Sequence, residues 1–331
     1  METFLQCITV IFLFWIGAGV FSFLYALSRR MSEKILLRQA AEEAISSDEN
    51  EERKEEEGEI NSDEQVRGES AETDETAAID AKTLLGKDYV CESCSTVLKA
   101  ADSIPLISYL LLKGRCRYCG AKIPMAELLC ELCGGAVFEL LFFRFGRNPV
   151  LAGMPSFSGV LDITAAFTPQ KGLALFLLAF VFCLLFMITV IDHASMEIPN
   201  VLTLLMLAAG VGSIFVFPEI SVLEHLIGLV AVSVPMALLT LAVPGAFGGG
   251  DIKLMGAAGL FLGWRLLLIA LFLGILTGGC YGIYLLAKKK TSRKGHFAFG
   301  PFLSFGIAVS ILFGFGLLTA YLTLGKRLYG F

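Results

Sequence analysis

The sequence has too few polar residues to cover the surface of a soluble protein of its length. Only 17% of its 331 residues are charged, whereas 56% are hydrophobic, and the mean hydropathy is +0.73. A soluble chain must present a polar surface to water, so this composition argues against one. The apolar residues fall in blocks of about 20, the length of helix that crosses a hydrocarbon core of ~30 Å. The composition therefore predicts an integral membrane protein.

Two further features are missing. The nine cysteines do not form a disulfide framework, because their number is odd and several lie inside apolar runs. The layout of a cleaved signal peptide is also absent, since the first apolar run, 4–28, is full-length and is followed rather than preceded by positive charge at Arg29 and Arg30. The positive-inside rule then predicts an N-terminus outside and residue 29 in the cytoplasm.

The apolar pattern predicts an all-α polytopic membrane protein with about eight transmembrane helices. After the first run, the predicted segments are 125–146, 172–191, 200–217, 222–243, 252–263, 266–287 and 301–324. The segment 252–263 is short, and we expect a tilted helix buried among its neighbours. If all eight segments cross, the basic loop 288–300 lies inside with residue 29, as the charge rule favours. If 252–263 does not cross, that loop lies outside.

Four regions are predicted along the chain: a first transmembrane helix at 1–28, an acidic segment at 29–85, a four-cysteine module at 86–124 and a transmembrane core at 125–331. The stretch 31–80 is rich in acids and has almost no large apolar side chains. Such a stretch cannot bury enough surface to offset its ordering entropy, so we expect it to be disordered or loosely helical. A solvated spacer is favoured over a docking tail.

Four cysteines stand apart in the polar module. The pairs Cys91–Cys94 and Cys116–Cys119 are two CxxC motifs separated by 21 residues, a spacing typical of four-thiolate zinc sites. A site with four protein ligands has no open position, so its zinc would be structural. The alternatives are incidental cysteines or a redox dithiol. A third pair, Cys130 and Cys133, lies inside the second predicted span, where cysteine packs as a small hydrophobe.

Two carboxylates lie at ends of apolar runs on the predicted cytoplasmic side. Asp192 ends the run FVFCLLFMITVID, and Asp251 follows the glycines 248–250. Ionisable residues at membrane depth are costly, so a functional role is the default hypothesis. If the two converge, one can act as general base on a water while the other, protonated, polarises a carbonyl. This is the chemistry of aspartyl proteases. The alternative is a pair of unrelated interfacial acids.

The remaining polar residues carry less weight. His193, Glu197 and Lys253 are interpreted as interfacial, and Asp162 falls in a loop on the opposite face from the pair. The glycines before Asp251 have no preceding strand and no GxGxxG pattern, which excludes a dinucleotide loop. They permit close approach of an extended substrate strand beside the acid. No nucleic-acid partner is expected.

These residues resemble the bacterial type IV prepilin peptidases, which are also called leader peptidase/N-methyltransferases. The likeness covers nearly the whole chain and rests on six motifs in the family order: Gly19–Leu24, the module from Cys91 to Ile123 with its central IPLISYL, Glu127-Leu-Leu, Asp192 with Ile198–Thr203, Gly248–Leu254 as the GxGD motif, and Phe299–Leu303.

The resemblance implies that the chain is an enzyme of the bacterial inner membrane. Family members cleave the short basic leader of prepilins and type II secretion pseudopilins on the cytoplasmic side, after a glycine. They commonly also methylate the new N-terminal residue, usually Phe, with S-adenosylmethionine as donor. By matching positions, the resemblance assigns catalysis to Asp192 and Asp251 and zinc binding to Cys91, Cys94, Cys116 and Cys119.

The chain departs from the family pattern in two places. The acidic segment is longer than the usual loop, and Tyr25 stands where Asn is common, which puts methyl transfer in question. The alternatives are therefore a peptidase without methyltransferase activity, an ion-coupled transporter that uses the Asp pair, and a zinc-bearing membrane scaffold.

Overall fold

The computed structural model of the chain describes residues 2–59, 93–94, 96, 105–142, 169–218, 220–243, 245–288 and 297–329. The regular structure of these residues is helical, apart from one isolated β-bridge between Arg115 and Lys122. The predicted all-helical class is confirmed. The helices of the described residues are α1 (Glu2–Glu59), α2 (Ile107–Leu111), α3 (Met125–Leu141), α4 (Pro169–Ser195), α5 (Asn200–Val216), α6 (Val222–Ala231), α7 (Ser233–Ala242), α8 (Gly249–Leu262), α9 (Trp264–Ala287) and α10 (Gly300–Tyr329).

The chain is a multi-pass membrane protein. Five helical stretches of the described residues are long and apolar enough to cross a bilayer: Ile8–Ser46, Gly172–Ser195, Val222–Ala242, Trp264–Ala287 and Gly300–Lys326. The predicted segments at α3, α5 and α8 form helices of 17, 17 and 14 residues, which is short for a hydrocarbon core of ~30 Å. The count of eight crossings therefore remains a prediction.

α1 continues far beyond the first predicted span, without a break as far as Glu59. Composition left residues 31–80 either disordered or loosely helical, and the described part of that stretch, up to Glu59, is helical. Glu, Lys and Arg have good helix propensity, and a helix that extends an existing one needs no new nucleus. The rest of the acidic segment, 60–85, lies outside the described residues.

The predicted span 222–243 is two consecutive helices, α6 and α7. They meet at Val232, whose φ and ψ are −111° and −42°. The break is caused by Pro235, which has no N–H to donate to the carbonyl of Ala231 and whose ring crowds that carbonyl. Pro235 was visible in the sequence, and it marks the break.

α8 lies at the centre of the helical core, packed between α5 and α6. All nine of its residues from Leu254 to Leu262 are buried, so the prediction of a short buried helix at 252–263 is confirmed. The approach to α6 is close because Gly228 and Gly259 face each other. A Cβ at either glycine would overlap the carbonyl oxygen of the other, and small residues permit such crossings within membrane bundles.

α4 is the second buried helix of the core and packs against α1, α5 and α10. Its inward face is formed by Leu178, Val181, Ile188 and Ile191, which have no exposed surface. α9 and α10 pack along each other beside it. The C-terminal end of α4, the N-terminal end of α8 and the N-terminal end of α10 meet at one end of the bundle, where the polar residues discussed next are found.

Candidate active site

Asp192 lies in the last turn of α4 and is held by a backbone donor from another helix. Its side chain is 4% exposed, and its Oδ2 accepts a hydrogen bond from the amide of Gly300 at 2.9 Å. A Cβ at Gly300 would lie 2.7 Å from the same oxygen. Only glycine therefore lets the first turn of α10 approach this carboxylate closely enough to bind it.

Asp251 lies in the first turn of α8 and is also buried. The backbone of Gly248, the residue that caps α8, hydrogen-bonds its carboxyl group. The other oxygen, Oδ1, is fully buried and has no hydrogen-bond partner among the described residues. A buried carboxylate oxygen without a partner is costly, and such atoms are characteristic of functional sites.

The structure brings the two acids together. Burial, reinforced by the nearby negative charge of Asp192, raises the pKa of the Asp251 carboxyl to about 6. Two carboxyl groups that share a site cannot both ionise cheaply, so the arrangement favours one protonated and one ionised carboxyl group. It can therefore supply a base and an acid at the same place.

Two contacts join the segment after Asp192 to the start of α8. The Nζ of Lys253 donates to the Oδ1 of Asn200, the first residue of α5, at 2.8 Å. Gly250 lies against Ile198, and a Cβ at residue 250 would approach the Cβ of Ile198 to 2.9 Å. The triple glycine thus serves close packing at Gly250, while Gly248 and Gly249 are exposed beside Asp251. An extended peptide could approach the backbone there.

The part of α1 beyond the first predicted span reaches the turn that follows Asp192. The Nε2 of Gln39 lies 3.4 Å from the carbonyl oxygen of Ser195 and 3.3 Å from Oε2 of Glu197. Sequence reasoning missed this contact, because nothing in the pattern around Gln39 distinguishes it from a solvated polar residue. His193 is exposed beside the pair, as expected of an interfacial residue. Asp162 lies outside the described residues.

Three of the four predicted zinc ligands also converge. The Sγ atoms of Cys94, Cys116 and Cys119 all lie within 4.8 Å of one another. Thiolates in a tetrahedral zinc site are separated by about 3.8 Å, given Zn–S bonds of ~2.3 Å. The cluster therefore fits a thiophilic metal. Cys91 lies outside the described residues, so its place as the fourth ligand stays a prediction.

The second CxxC pair lies in a tight hairpin. The amide of Cys116 donates to the carbonyl of Ala121 at 2.8 Å, and the amide of Gly120 donates back to the carbonyl of Cys116 at 3.0 Å. Gly120 has a φ of 72°, a left-handed conformation that glycine adopts without strain. This turn points both thiols of the pair toward Cys94, which is the knuckle arrangement of structural zinc sites.

Glu131 anchors the module to the helical core. This carboxylate lies in α3 and is 8% exposed. Its Oε1 accepts from the hydroxyl of Ser22 in α1 at 2.8 Å, and its Oε2 accepts from the amide of Leu106, just before α2, at 2.6 Å. A carboxylate within an apolar helix is costly in lipid, and Glu131 instead faces other parts of the protein. Cys130 and Cys133 on the same helix are partly buried and exposed, respectively.

Gly300 is the part of the site that side-chain reasoning could not find. Its contribution is a backbone amide, which carries no chemical signature in a sequence. The only available signal was its position inside the Phe299–Leu303 motif, which resembles a family motif without indicating a role. The hydrogen bond gives this motif a physical role, because it delivers the amide to Asp192.

Comparison with known proteins matches two family models to this chain. The bacterial peptidase A24 N-terminal domain matches residues 15–145, and the type IV leader peptidase family matches residues 171–283. The prepilin leader peptidase/N-methyltransferase of Aeromonas hydrophila is 32% identical over 242 residues, which cover 70% of this chain and 74% of that protein.

Two relatives of lower sequence identity carry the same name. The protein of Bacillus subtilis (strain 168) is 27% identical over 232 residues, covering 70% of this chain and 84% of its own. The protein of Neisseria gonorrhoeae is 29% identical over 226 residues, covering 67% and 69%. No solved structure gives a significant match.

Proposed function

The chain belongs to the type IV leader peptidase family, and we propose that it is the endopeptidase that removes the leader of prepilins or pseudopilins, with Asp192 and Asp251 as its catalytic pair. The observation that carries this proposal is the meeting of two buried carboxylates from separate helices at one end of the bundle. Their pairing is what hydrolysis of a peptide bond by an aspartyl mechanism requires.

In this mechanism the ionised carboxylate takes a proton from a water molecule, which attacks the carbonyl carbon of the scissile bond. The protonated carboxyl donates its hydrogen to the carbonyl oxygen, where negative charge develops. The first acid then passes the proton from water to the amide nitrogen, the second acid takes back a hydroxyl proton, and the C–N bond breaks to release the new N-terminus. The amide of Gly300 keeps Oδ2 of Asp192 in place throughout. The exposed backbone at Gly248 and Gly249 accommodates the substrate strand beside Asp251.

The proposed orientation places the pair and the cysteine module in the cytoplasm and the N-terminus outside. Its support is the charge distribution, because Arg29, Arg30 and the basic loop 288–300 then lie on one side. The leader of a prepilin would reach the pair from that side. A cysteine-scanning experiment with a membrane-impermeant thiol reagent tests this arrangement, and labelling of residue 29 only from the periplasm would refute it.

The catalytic assignment is tested by co-expressing the chain with a prepilin and following leader removal. Asp192→Asn and Asp251→Asn keep the shape of each side chain and remove its ionisation. Each should lower the rate of cleavage by roughly 10²–10⁴-fold, the usual contribution of a general acid or base. Glu197→Gln is the matched control, because Glu197 is an exposed acid on the turn after Asp192. Cleavage that survives either Asp substitution would sink the aspartyl mechanism.

An ion-coupled transporter is the competing function for a buried acid pair. It predicts ion flux in liposomes that depends on both acids, together with a leader that remains uncleaved in every variant. Reconstituted wild-type chain with a pH-sensitive dye inside the vesicles separates the two functions. Leader removal without flux supports the peptidase.

We further propose that the chain methylates the new N-terminal residue, with S-adenosylmethionine as the second substrate. The support is the name of the relatives, which joins both activities. Mass spectrometry of the N-terminus of the mature substrate tests this methylation. A terminus without an added methyl group after complete cleavage would leave a peptidase alone.

The cysteine module would hold a structural zinc through Cys94, Cys116, Cys119 and Cys91, because three of these thiols converge.

A further inference from the structure

Six aromatic rings meet beside the acid pair. They belong to Phe247, Tyr281, Tyr284, Phe297, Phe299 and Phe302, which together are called the aromatic wall here. Neighbouring ring centroids lie 5.2–6.5 Å apart, the separation at which aromatic side chains stabilise one another. The rings come from three places: the loop before α8, the C-terminal half of α9 and the start of α10.

The wall is continuous with the catalytic pair on both sides. Phe247 directly precedes the glycines that lead into Asp251, and Phe299 directly precedes Gly300, whose amide binds Asp192. The centroids of these two rings are 6.0 Å apart. The rings therefore bridge the two segments that hold the acids, and a chain positioned for cleavage must pass close to them.

None of the six rings is fully buried, although the residues behind them are. Phe247, Phe297, Phe299 and Phe302 are partly exposed, and Tyr281 and Tyr284 are 39% and 48% exposed. By contrast Leu303, behind the wall, has no exposed surface. Gly278 allows the ring of Phe299 to lie flat against α9, since a Cβ there would approach the ring to 2.7 Å. The scaffold thus presents the rings rather than enclosing them.

A belt of aromatic side chains at the membrane interface explains only part of the wall. The two tyrosines on α9 suit such a belt, because their hydroxyls can reach the headgroups. Phe247, Phe297 and Phe299 lie in non-helical segments that lead into α8 and α10, and phenylalanine has no polar group with which to face water. Apolar rings left exposed next to a reactive pair are characteristic of a binding surface.

We propose that the aromatic wall binds the large apolar side chains that directly follow the scissile bond of the substrate. The inference rests on the proposed peptidase function and specifies its substrate. The wall has no carboxylate to pair with a basic residue, and the Nζ of Lys288 already lies 4.9 Å from the centroid of the Tyr284 ring. The wall therefore suits apolar rather than basic residues. It also borders α9 and α10, two candidate membrane spans. A basic leader belongs in water, so the segment on the other side of the cut is the one that can bury apolar side chains against the wall.

The test is a cycle that pairs enzyme variants with substrate variants. The substrates are a prepilin and versions in which each of the first four residues after the cut is replaced by alanine in turn. With the wild-type chain, alanine in place of at least one large apolar residue should lower kcat/KM about ten-fold, chiefly by raising KM. This is the effect expected when a side chain is removed from an apolar pocket. If no replacement changes kcat/KM, the proposal is overturned without any enzyme variant.

The enzyme variants are Phe302→Ala and Phe247→Ala, with Phe302→Leu as a form that keeps most of the volume. Each alanine variant should lower kcat/KM about ten-fold for the unmodified prepilin and no more than about two-fold for the sensitive alanine substrate, because the contact is already lost. An equal loss for both substrates would mean that the rings only support the fold, and the proposal would fail.

The matched control is Phe176→Ala. Phe176 is exposed and stacks on Phe180 with ring centroids 6.3 Å apart, but it lies toward the other end of α4, ~24 Å along the helix from Asp192. Its removal should leave the ratio of the two substrates unchanged. Absence of any cleavage by the wild-type chain would instead refute the peptidase function itself, so the two failures can be told apart.

Discussion

The acid pair and the cysteine module hold their functional groups together by different means. The pair draws on three helices that are far apart in the sequence, and backbones that touch at glycines fix its geometry. Among the described residues of the module, three thiols converge, a tight local turn places Cys116 and Cys119, and Cys116 is the one buried apolar residue. The acid pair depends on helix packing, whereas the module is proposed to depend on a bound metal ion.

Because of this difference, we expect different substitutions to disrupt the two sites. A buried methyl group in the wrong place should damage the acid pair while the module stays intact. Loss of a thiol should damage the module while the pair remains assembled. Glu131 of α3 joins the module to α1, because it binds both Leu106 and Ser22. The following substitutions test how independent the two sites are.

The largest effect is expected from Gly300→Ala. The new Cβ would lie 2.7 Å from Oδ2 of Asp192, so the carboxylate must move away from the amide that binds it. A displacement of about 1 Å at a reacting group can cost ~10²-fold in rate. We therefore expect kcat/KM for leader removal to fall by about 10²-fold while metal binding is unchanged.

Gly316→Ala is the matched control for that substitution. It lies on the same helix, α10, and a Cβ there would meet no atom within 4 Å. Its cleavage rate should equal that of the wild type. If Gly300→Ala were as active as Gly316→Ala, the amide would not be positioning Asp192.

An intermediate effect on cleavage is expected from Cys116→Ser. Cys116 is the most buried of the three clustered thiols, and its loss should abolish stoichiometric zinc, measured by elemental analysis of the purified chain. Without metal a module this small loses its fold, so limited proteolysis should cut between residues 93 and 122. Because the acids are held by other contacts, cleavage should fall less than in Gly300→Ala.

Cys280→Ser is the control for Cys116→Ser, since Cys280 is exposed on α9 and lies outside the cluster. It should keep its zinc and its protease resistance. A loss of cleavage in Cys116→Ser as deep as in the Asp variants would contradict the independence of the two sites.

The smallest effect is expected from Lys253→Met. This change keeps the aliphatic stem and removes the hydrogen bond from Nζ to Asn200. Lys253 is exposed, and a hydrogen bond of this kind contributes about 0.5–1.5 kcal/mol, so cleavage should fall by less than about ten-fold. Asn200→Ala should have a similar effect, and the double variant should lose little more. Additive losses would show that the two side chains act separately.

Much of the candidate site could be predicted because its chemistry is carried by side chains at membrane depth. Asp192 and Asp251 are conspicuous because charged residues are rare in the apolar runs. The cysteine spacing is equally visible. Their proposed roles still await the experiments above.

The parts that could not be predicted are contributed by the backbone or by distant packing. Gly300 acts through its amide, and Gln39 acts through the register of a helix whose length was underestimated. Composition shows whether a segment has enough apolar residues to form a core, and it predicted that the segment after residue 30 forms none. It does not describe whether a helix already formed within the membrane will continue, which depends on propagation rather than on burial.

Because α1 is one unbroken helix, a tilt of its apolar half would also move its other half. Its apolar half lies among the membrane helices, and Gln39 touches the turn after Asp192 from the other half. Helices adjust their tilt to the thickness of the bilayer, and a change of ~10° moves a point ~15 Å beyond the pivot by roughly 3 Å. That displacement is comparable to the distance between the Nε2 of Gln39 and the carbonyl oxygen of Ser195. A change in bilayer thickness that tilts α1 would therefore shift the contact between Gln39 and the turn that follows Asp192.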